Sequence, residues 1–356
     1  MSESALAEGR TWEALPPWQD ATAVAALAER AWWPHALLLT GRQGVGKRLL
    51  AMHLARALLC ETPRSDGSAC GDCMSCGLVE RASHPDLRLI EPIAYDDEGN
   101  ATPADAITVE PIRELIEFAQ LSSHRRGAKV AVIAPAEALN AAAANALLKT
   151  LEEPPPRTYL LLVSHQPGRL PATIVSRCRR LPVPDPDPAL ASQWLTNRNV
   201  ADPELVLAQA GGAPMLALSL ADPAVQQARE LLLGELARPE RLSPVAVGAR
   251  LEAMSKDRRK GELASAVYWL LTWTADLAAV ASGGTPRFHP DRRDALDELA
   301  RRVARVPLFR YYRTVMRQRA LLGHPLQPRL VAEALLFEYR GIFIRSIAER
   351  GKRESS

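Results

Sequence analysis

Gly41-Arg-Gln-Gly-Val-Gly-Lys-Arg48 sets three glycines and a lysine at a spacing that suits a polyphosphate. The glycines let a loop turn tightly so that backbone N–H groups and a following helix N-terminus face phosphate, while Lys47 reaches the β and γ oxygens. Gly41, Gly44, Gly46, Lys47 and Arg48 are therefore the expected nucleotide contacts. Arg48, however, stands where a Ser or Thr hydroxyl ligates magnesium, and a guanidinium has no acceptor. The acidic motif that should follow a later strand is also altered. After the apolar run Lys129-Val-Ala-Val-Ile133 come Ala134, Pro135, Ala136 and Glu137. Neither Ala134 nor Pro135 can hold magnesium or polarise water, and Glu137 is displaced, so a solvent-facing helix-start residue is the expectation rather than a rescued base. Weak binding of ATP or ADP without hydrolysis is predicted.

Cys60, Cys70, Cys73 and Cys76 form the second chemical group, spaced C-x9-C-x2-C-x2-C over a module at 60–77, with Gly71 and Gly77 allowing tight knuckles. Four thiolates around one tetrahedral Zn²⁺ is the predicted arrangement, free buried cysteines being the alternative. Such a site leaves no open position for water, so its role is structural. His84 is not needed as a ligand; Ser83-His-Pro-Asp86 reads as a loop entering a strand at 87–90. Cys178 stands apart as a packing residue.

The elements that must position these groups are legible from periodicity. Ala36–Thr40 is a strand-length apolar run and Leu49, Ala51, Leu54, Ala55 and Leu58 repeat at helical spacing, giving strand, loop, helix. Residues 111–120 read as a core helix with proline in its first turn. Residues 122–129, Ser-Ser-His-Arg-Arg-Gly-Ala-Lys, gather positive charge that suits either a phosphate backbone or a solvated turn. Leu181–Pro188 is proline-rich and reads as a linker. Long helical periodicity runs from Gln226 to Ile347, interrupted by a loop at 283–294, and the tail from Arg350 is expected to be unstructured.

A chain of 356 residues suggests two or three domains. A net charge of +3 is too small to mark the whole surface as a nucleic-acid binder. No apolar run approaches the ~20 residues of a membrane span and the start lacks a signal-peptide pattern, so a cytoplasmic protein without membrane contact is expected. Five cysteines with four clustered point to metal rather than disulfides.

Asn145-Ala-Leu-Leu-Lys-Thr-Leu-Glu-Glu-Pro-Pro155, together with Ser176-Arg-Cys178 downstream, closely resembles bacterial clamp-loader subunits of the AAA+ superfamily, and with its degenerate phosphate loop the chain looks like a non-motor member. The resemblance implies an α/β P-loop domain with a parallel sheet and zinc module at 1–184, a small helical lid at 185–224 and an all-α collar at 225–356. It further implies a pentameric ring with gamma/tau and delta subunits that uses ATP to place a sliding clamp on primer-template DNA. In that setting Arg177 acts in trans, its guanidinium neutralising the γ-phosphoryl oxygens of ATP on a neighbouring motor subunit. The alternative for Arg177 is a pair with a local carboxylate. Ala210–Leu218 resembles a lid segment that carries a nucleotide-touching arginine in motor subunits; Met215 stands there and is expected to pack. No carboxylate pair suits two-metal polymerase chemistry, so polymerase activity would belong to the holoenzyme. Two rival readings are an active motor, which Lys47 keeps alive, and a pure scaffold that supplies no finger.

Overall fold

The computed structural model of the chain describes residues 14–28, 33–95, 101–125, 127–322 and 326–354. Of the described residues, those from Ala14 to Arg198, joined by Ala213–Leu216, make one compact unit; Asn199–Gly212 and those from Ala217 onward make the other.

The strands of the first unit are β1 (Ala36–Thr40), β2 (Leu87–Ile90), β3 (Ile93–Tyr95), β4 (Ala101–Pro103), β5 (Lys129–Ile133), β6 (Thr158–Ser164) and β7 (Arg179–Pro182). Five of them form a wholly parallel sheet in the order β2-β5-β6-β1-β7, while β3 and β4 pair antiparallel. Its helices are α1 (Asp20–Ala28), α2 (Lys47–Leu59), α3 (Met74–Glu80), α4 (Val109–Gln120), α5 (Ala141–Glu152), α6 (Ala172–Val175) and α7 (Pro188–Thr196). The central strands β1, β5 and β6 are apolar along most of their length because both faces are covered there, whereas the edge strands β2 and β7 carry exposed arginines. Leu37, Leu39, Val130, Val132, Leu161 and Val163 meet Leu50 and Leu54 of α2 and Ala23 and Leu27 of α1 on one face. On the other, Leu38, Ala131, Ile133, Leu160 and Leu162 meet Ile112, Leu115 and Phe118 of α4 and Leu147 and Leu151 of α5. The alternation along each strand follows from side chains pointing to opposite faces.

The proline run is not wholly a linker. Leu181 and Pro182 end β7, in register with Leu39 and Thr40 of β1. Proline is tolerated there because β7 is an edge strand, where a missing N–H leaves no ladder partner stranded.

The second unit is helical: α8 (Pro203–Gln209), the latter part of α9 (Pro214–Leu220), α10 (Pro223–Leu236), α11 (Pro244–Glu252), α12 (Lys256–Ala281), α13 (Arg293–Arg302), α14 (Arg305–Leu321) and α15 (Pro328–Glu354). Contrary to the sequence expectation, α12 is long and apolar enough over Arg258–Ala281 to cross a bilayer by length and composition alone. Its environment is a protein core: 61% of that window is buried, with Trp269, Trp273 and Leu277 enclosed. A helix covered on most sides carries apolar residues around most of its circumference. Trp273 Nε1 donates to Tyr339 Oη at 2.9 Å, which donates to Leu236 O at 2.8 Å, tying α12, α15 and α10 together. The tail also differs from expectation, since α15 continues to Glu354. Extending an existing helix needs no new nucleus, and Ala, Glu and Arg favour it.

Candidate functional site

The glycine loop leaves β1 at Thr40 and enters α2 at Lys47. At Gly41 a side chain would meet Val183 O at 2.6 Å. Gly44 has φ +79°, and a Cβ on it would sit 3.0 Å from Ala213 Cβ and 3.2 Å from Leu216 Cβ. This loop is closely packed by its own unit rather than open above. Met215 N–H donates to Gly44 O at 2.9 Å, and Trp18 Nε1 and Gln19 Nε2 both donate to Val45 O, at 2.9 and 2.7 Å. Met215 is buried, as expected of a packing residue, and it is the backbone of that residue that touches the loop.

Lys47 is 1% exposed and turns back on the loop, its Nζ donating to Gly41 O at 2.9 Å and Arg42 O at 2.5 Å. Arg48 reaches Glu91, just past β2, with Nε 2.8 Å from Oε1 and Nη2 3.2 Å from Oε2. The guanidinium in the hydroxyl's place is thus held by a carboxylate of its own chain. Sequence reading missed Glu91; a lone acid 43 positions from its partner gives no local signal.

Glu137 differs from its expected solvent-facing role. It is half-buried, and its Oε1 accepts the backbone N–H groups of His165 at 2.8 Å and Gln166 at 3.0 Å. The carboxylate therefore caps the turn after β6, because two amides at a strand exit need an acceptor.

Arg177 lies between α6 and β7 with its side chain 34% exposed, and its Nη2 is 2.5 Å from Glu152 Oε1 at the end of α5. Its Nη1 donates to Thr173 O at 2.9 Å. The two motifs that carried the resemblance thus meet in one ion pair. Cys178 is enclosed in the core, and burial pushes its thiol up to about 11.

The four clustered cysteines come together where α2 ends and α3 begins. Their sulfurs all lie within 4.8 Å of one another, with Cys60 to Cys70 at 3.5 Å and both Cys60 to Cys73 and Cys70 to Cys76 at 3.9 Å. Bonds of about 2.3 Å to a tetrahedral ion place sulfurs about 3.8 Å apart, so this set fits a metal ion. The backbone N–H groups of Cys70, Cys73 and Cys76 point at the sulfurs of Cys60, Cys70 and Cys73 at 3.3, 3.3 and 3.4 Å. The Thr62 hydroxyl and the Cys73 N–H hold the Cys70 thiol down to about 6, whereas burial pushes Cys76 up to about 12. A divalent cation among four crowded thiolates offsets their mutual repulsion. Both ring nitrogens of His84 are engaged elsewhere, Nε2 with Ser75 Oγ at 3.2 Å and Nδ1 with the Asp86 N–H at 3.0 Å.

The basic run at 122–129 has two of its cations engaged within the chain. Arg125 pairs with Glu61 at 2.6 Å, and the buried Lys129 donates to Phe118 O at 2.6 Å and Ala119 O at 3.1 Å, satisfying carbonyls at the end of α4. Arg126 lies outside the described residues.

A family model described as DNA polymerase III, delta subunit, matches residues 22–187. DNA polymerase III subunit delta' of Pseudomonas aeruginosa is 43% identical over 217 residues, which are 60% of this chain and 63% of that protein, so the match spans less than two thirds of the relative's length. The Haemophilus influenzae subunit delta' is 32% identical over 246 residues, 68% of this chain and 70% of that one. DNA polymerase III subunit tau of Escherichia coli is 38% identical over 144 residues, 40% of this chain and 20% of that protein.

Proposed function

The chain belongs to the family of DNA polymerase III delta-prime subunits, and on that premise we propose that it is a non-hydrolysing member of a clamp-loader complex. The observation that carries the non-hydrolysing part is the Arg48–Glu91 pair, which fills the place of a magnesium-ligating hydroxyl with a neutralised cation. The carboxylate-free exit of β5 at Ala134 and Pro135 supports it. The phosphate loop then serves as a structural turn whose lysine satisfies its own carbonyls, and ATP or ADP, if held, stays unhydrolysed. The four cysteines hold zinc in a closed structural site.

In this reading the partners are gamma/tau and delta subunits of a pentameric ring in the cytoplasm, with residues 185–224 as lid and the helices from 225 onward as collar. Through them the complex meets the sliding clamp and primer-template DNA. Arg177 supplies the trans-acting guanidinium. An exposed ion pair contributes only about 0–1 kcal/mol, so exchanging Glu152 for a neighbour's γ-phosphate costs little. Glu152 is also the observation that favours a second reading, a scaffold whose Arg177 serves its own chain.

The test is to reconstitute the complex with primed DNA and compare Arg177→Ala with wild type. A fall of about a thousandfold in turnover at the ATP site that Arg177 serves, with the complex intact by sedimentation, is expected of a finger. Unchanged turnover in an intact complex leaves the scaffold.

A further inference from the structure

A closed circuit of hydrogen bonds joins the cysteine cluster to the segment at 121–125. Two of the cysteines have polar neighbours in sequence, Glu61 after Cys60 and Ser75 before Cys76. The Ser75 hydroxyl donates to Glu61 Oε1 at 3.0 Å, and the same oxygen accepts Arg125 Nε at 2.7 Å. His84 Nδ1 accepts the Asp86 N–H at 3.0 Å, which assigns the proton to Nε2, and Nε2 donates to Ser75 Oγ at 3.2 Å. Asp86 Oδ1 and Oδ2 accept the backbone N–H groups of His124 and Arg125 at 2.8 and 3.1 Å, closing the circuit at Arg125. Each hydroxyl, ring nitrogen and carboxylate oxygen on the path has a compatible donor or acceptor role.

The two ends of the circuit are anchored differently. Ser75, His84 and Asp86 are 1%, 4% and 0% exposed, and Asp86 immediately precedes β2, so this side belongs to the rigid core. Glu61 and Arg125 are 37% and 34% exposed. A half-exposed pair holds weakly unless something else fixes one partner. What fixes Glu61 is its position one residue from a metal-ligating sulfur, together with Ser75, which is also one residue from a ligand.

We propose that the metal-bearing cysteine cluster braces residues 121–125, so that filling the metal site keeps Arg125 engaged with Glu61 and emptying it releases the arginine and loosens that segment. The proposal rests on reading the four cysteines as a metal centre. Its functional consequence is that the Arg125 guanidinium, paired with Glu61 in the loaded protein, becomes mobile when the metal leaves.

The experiment is hydrogen–deuterium exchange on the full chain, zinc-loaded and after chelation, with metal content measured in each sample. Chelation should speed exchange at 122–125 several-fold while β1, β5 and β6 stay protected. Glu61→Gln, at full metal content, should reproduce the faster loop exchange because the amide lacks the charge that holds Arg125. Full metal content with unchanged loop exchange in that variant overturns the brace, as does unchanged loop exchange on chelation. Should chelation open the strands as well, the metal supports the whole unit rather than this segment, and the brace is overturned. A purified chain that takes up no zinc rejects the metal centre itself, and the brace with it, which the metal measurement distinguishes.

Discussion

Arg48 and Glu91 form a two-point ion pair between the first turn of α2 and the residue after β2, and the Glu91 side chain is only 9% exposed. The pair joins the helix that follows the glycine loop to the far edge strand of the sheet, so the cation at position 48 has a structural partner within its own chain.

Arg48→Thr restores the hydroxyl and leaves Glu91 without its cation. Stability should fall by about 1–3 kcal/mol, read as a lower urea midpoint. The isolated chain should gain no ATP turnover, because Ala134 and Pro135 still offer no carboxylate. Measurable hydrolysis by this variant would sink the account of a loop disabled on two sides.

Lys47→Ala should destabilise the nucleotide-free chain, since Gly41 O and Arg42 O lose their ammonium donor in a packed loop. The expected loss is about 1–3 kcal/mol in urea denaturation without added nucleotide. A lysine kept only for phosphate would leave that midpoint where it was.

His289 supplies a pH signature for the helical unit. It is fully buried; Arg229 Nη2 approaches its Nδ1 at 3.2 Å and its Nε2 lies 3.1 Å from Thr272 Oγ1, a pattern that fits the neutral ring. Burial, then the Arg229 charge, depresses it to about 3 from an ordinary 6.5. The unfolded chain therefore takes up a proton that the folded chain refuses. The stability tied to this refusal is present above pH 6.5 and is lost as pH falls toward about 3, on the order of a few kcal/mol across the window. His289→Gln should flatten that part of the profile in urea melts; an unaltered slope would place the pH dependence elsewhere.

Thiol labelling should divide the five cysteines into four and one. In zinc-loaded protein all should react slowly with a disulfide reagent. After chelation Cys60, Cys70, Cys73 and Cys76 should react quickly, Cys70 first because its thiol is held down to about 6, while Cys178 stays slow with its thiol near 11. Fast labelling of Cys178 in folded protein would contradict its place in the core.

Motifs whose parts lie close together along the chain are legible in the residues themselves. The glycine loop between β1 and α2 follows from glycines and a lysine within eight positions, and the gathering of four sulfurs from four cysteines within seventeen. Strands β1, β5 and β6 carry apolar stretches, at 36–39, 130–133 and 160–163, because both sheet faces are covered there. In each case the signal is local, and backbone geometry converts spacing directly into proximity.

What the fold alone decided is the set of partners those residues meet. Glu137 turned from an exposed acid into a cap on His165 and Gln166 because the parallel register of β5 and β6 brings their exits side by side. Arg177 met Glu152, and Arg125 met Glu61, across separations of 25 and 64 positions that carry no periodicity. A charged side chain reads the same in sequence whether it faces solvent, a ligand or its own chain. The difference rests on distances of a few ångströms, which depend on how strands pair and helices pack, and only the assembled tertiary structure sets those.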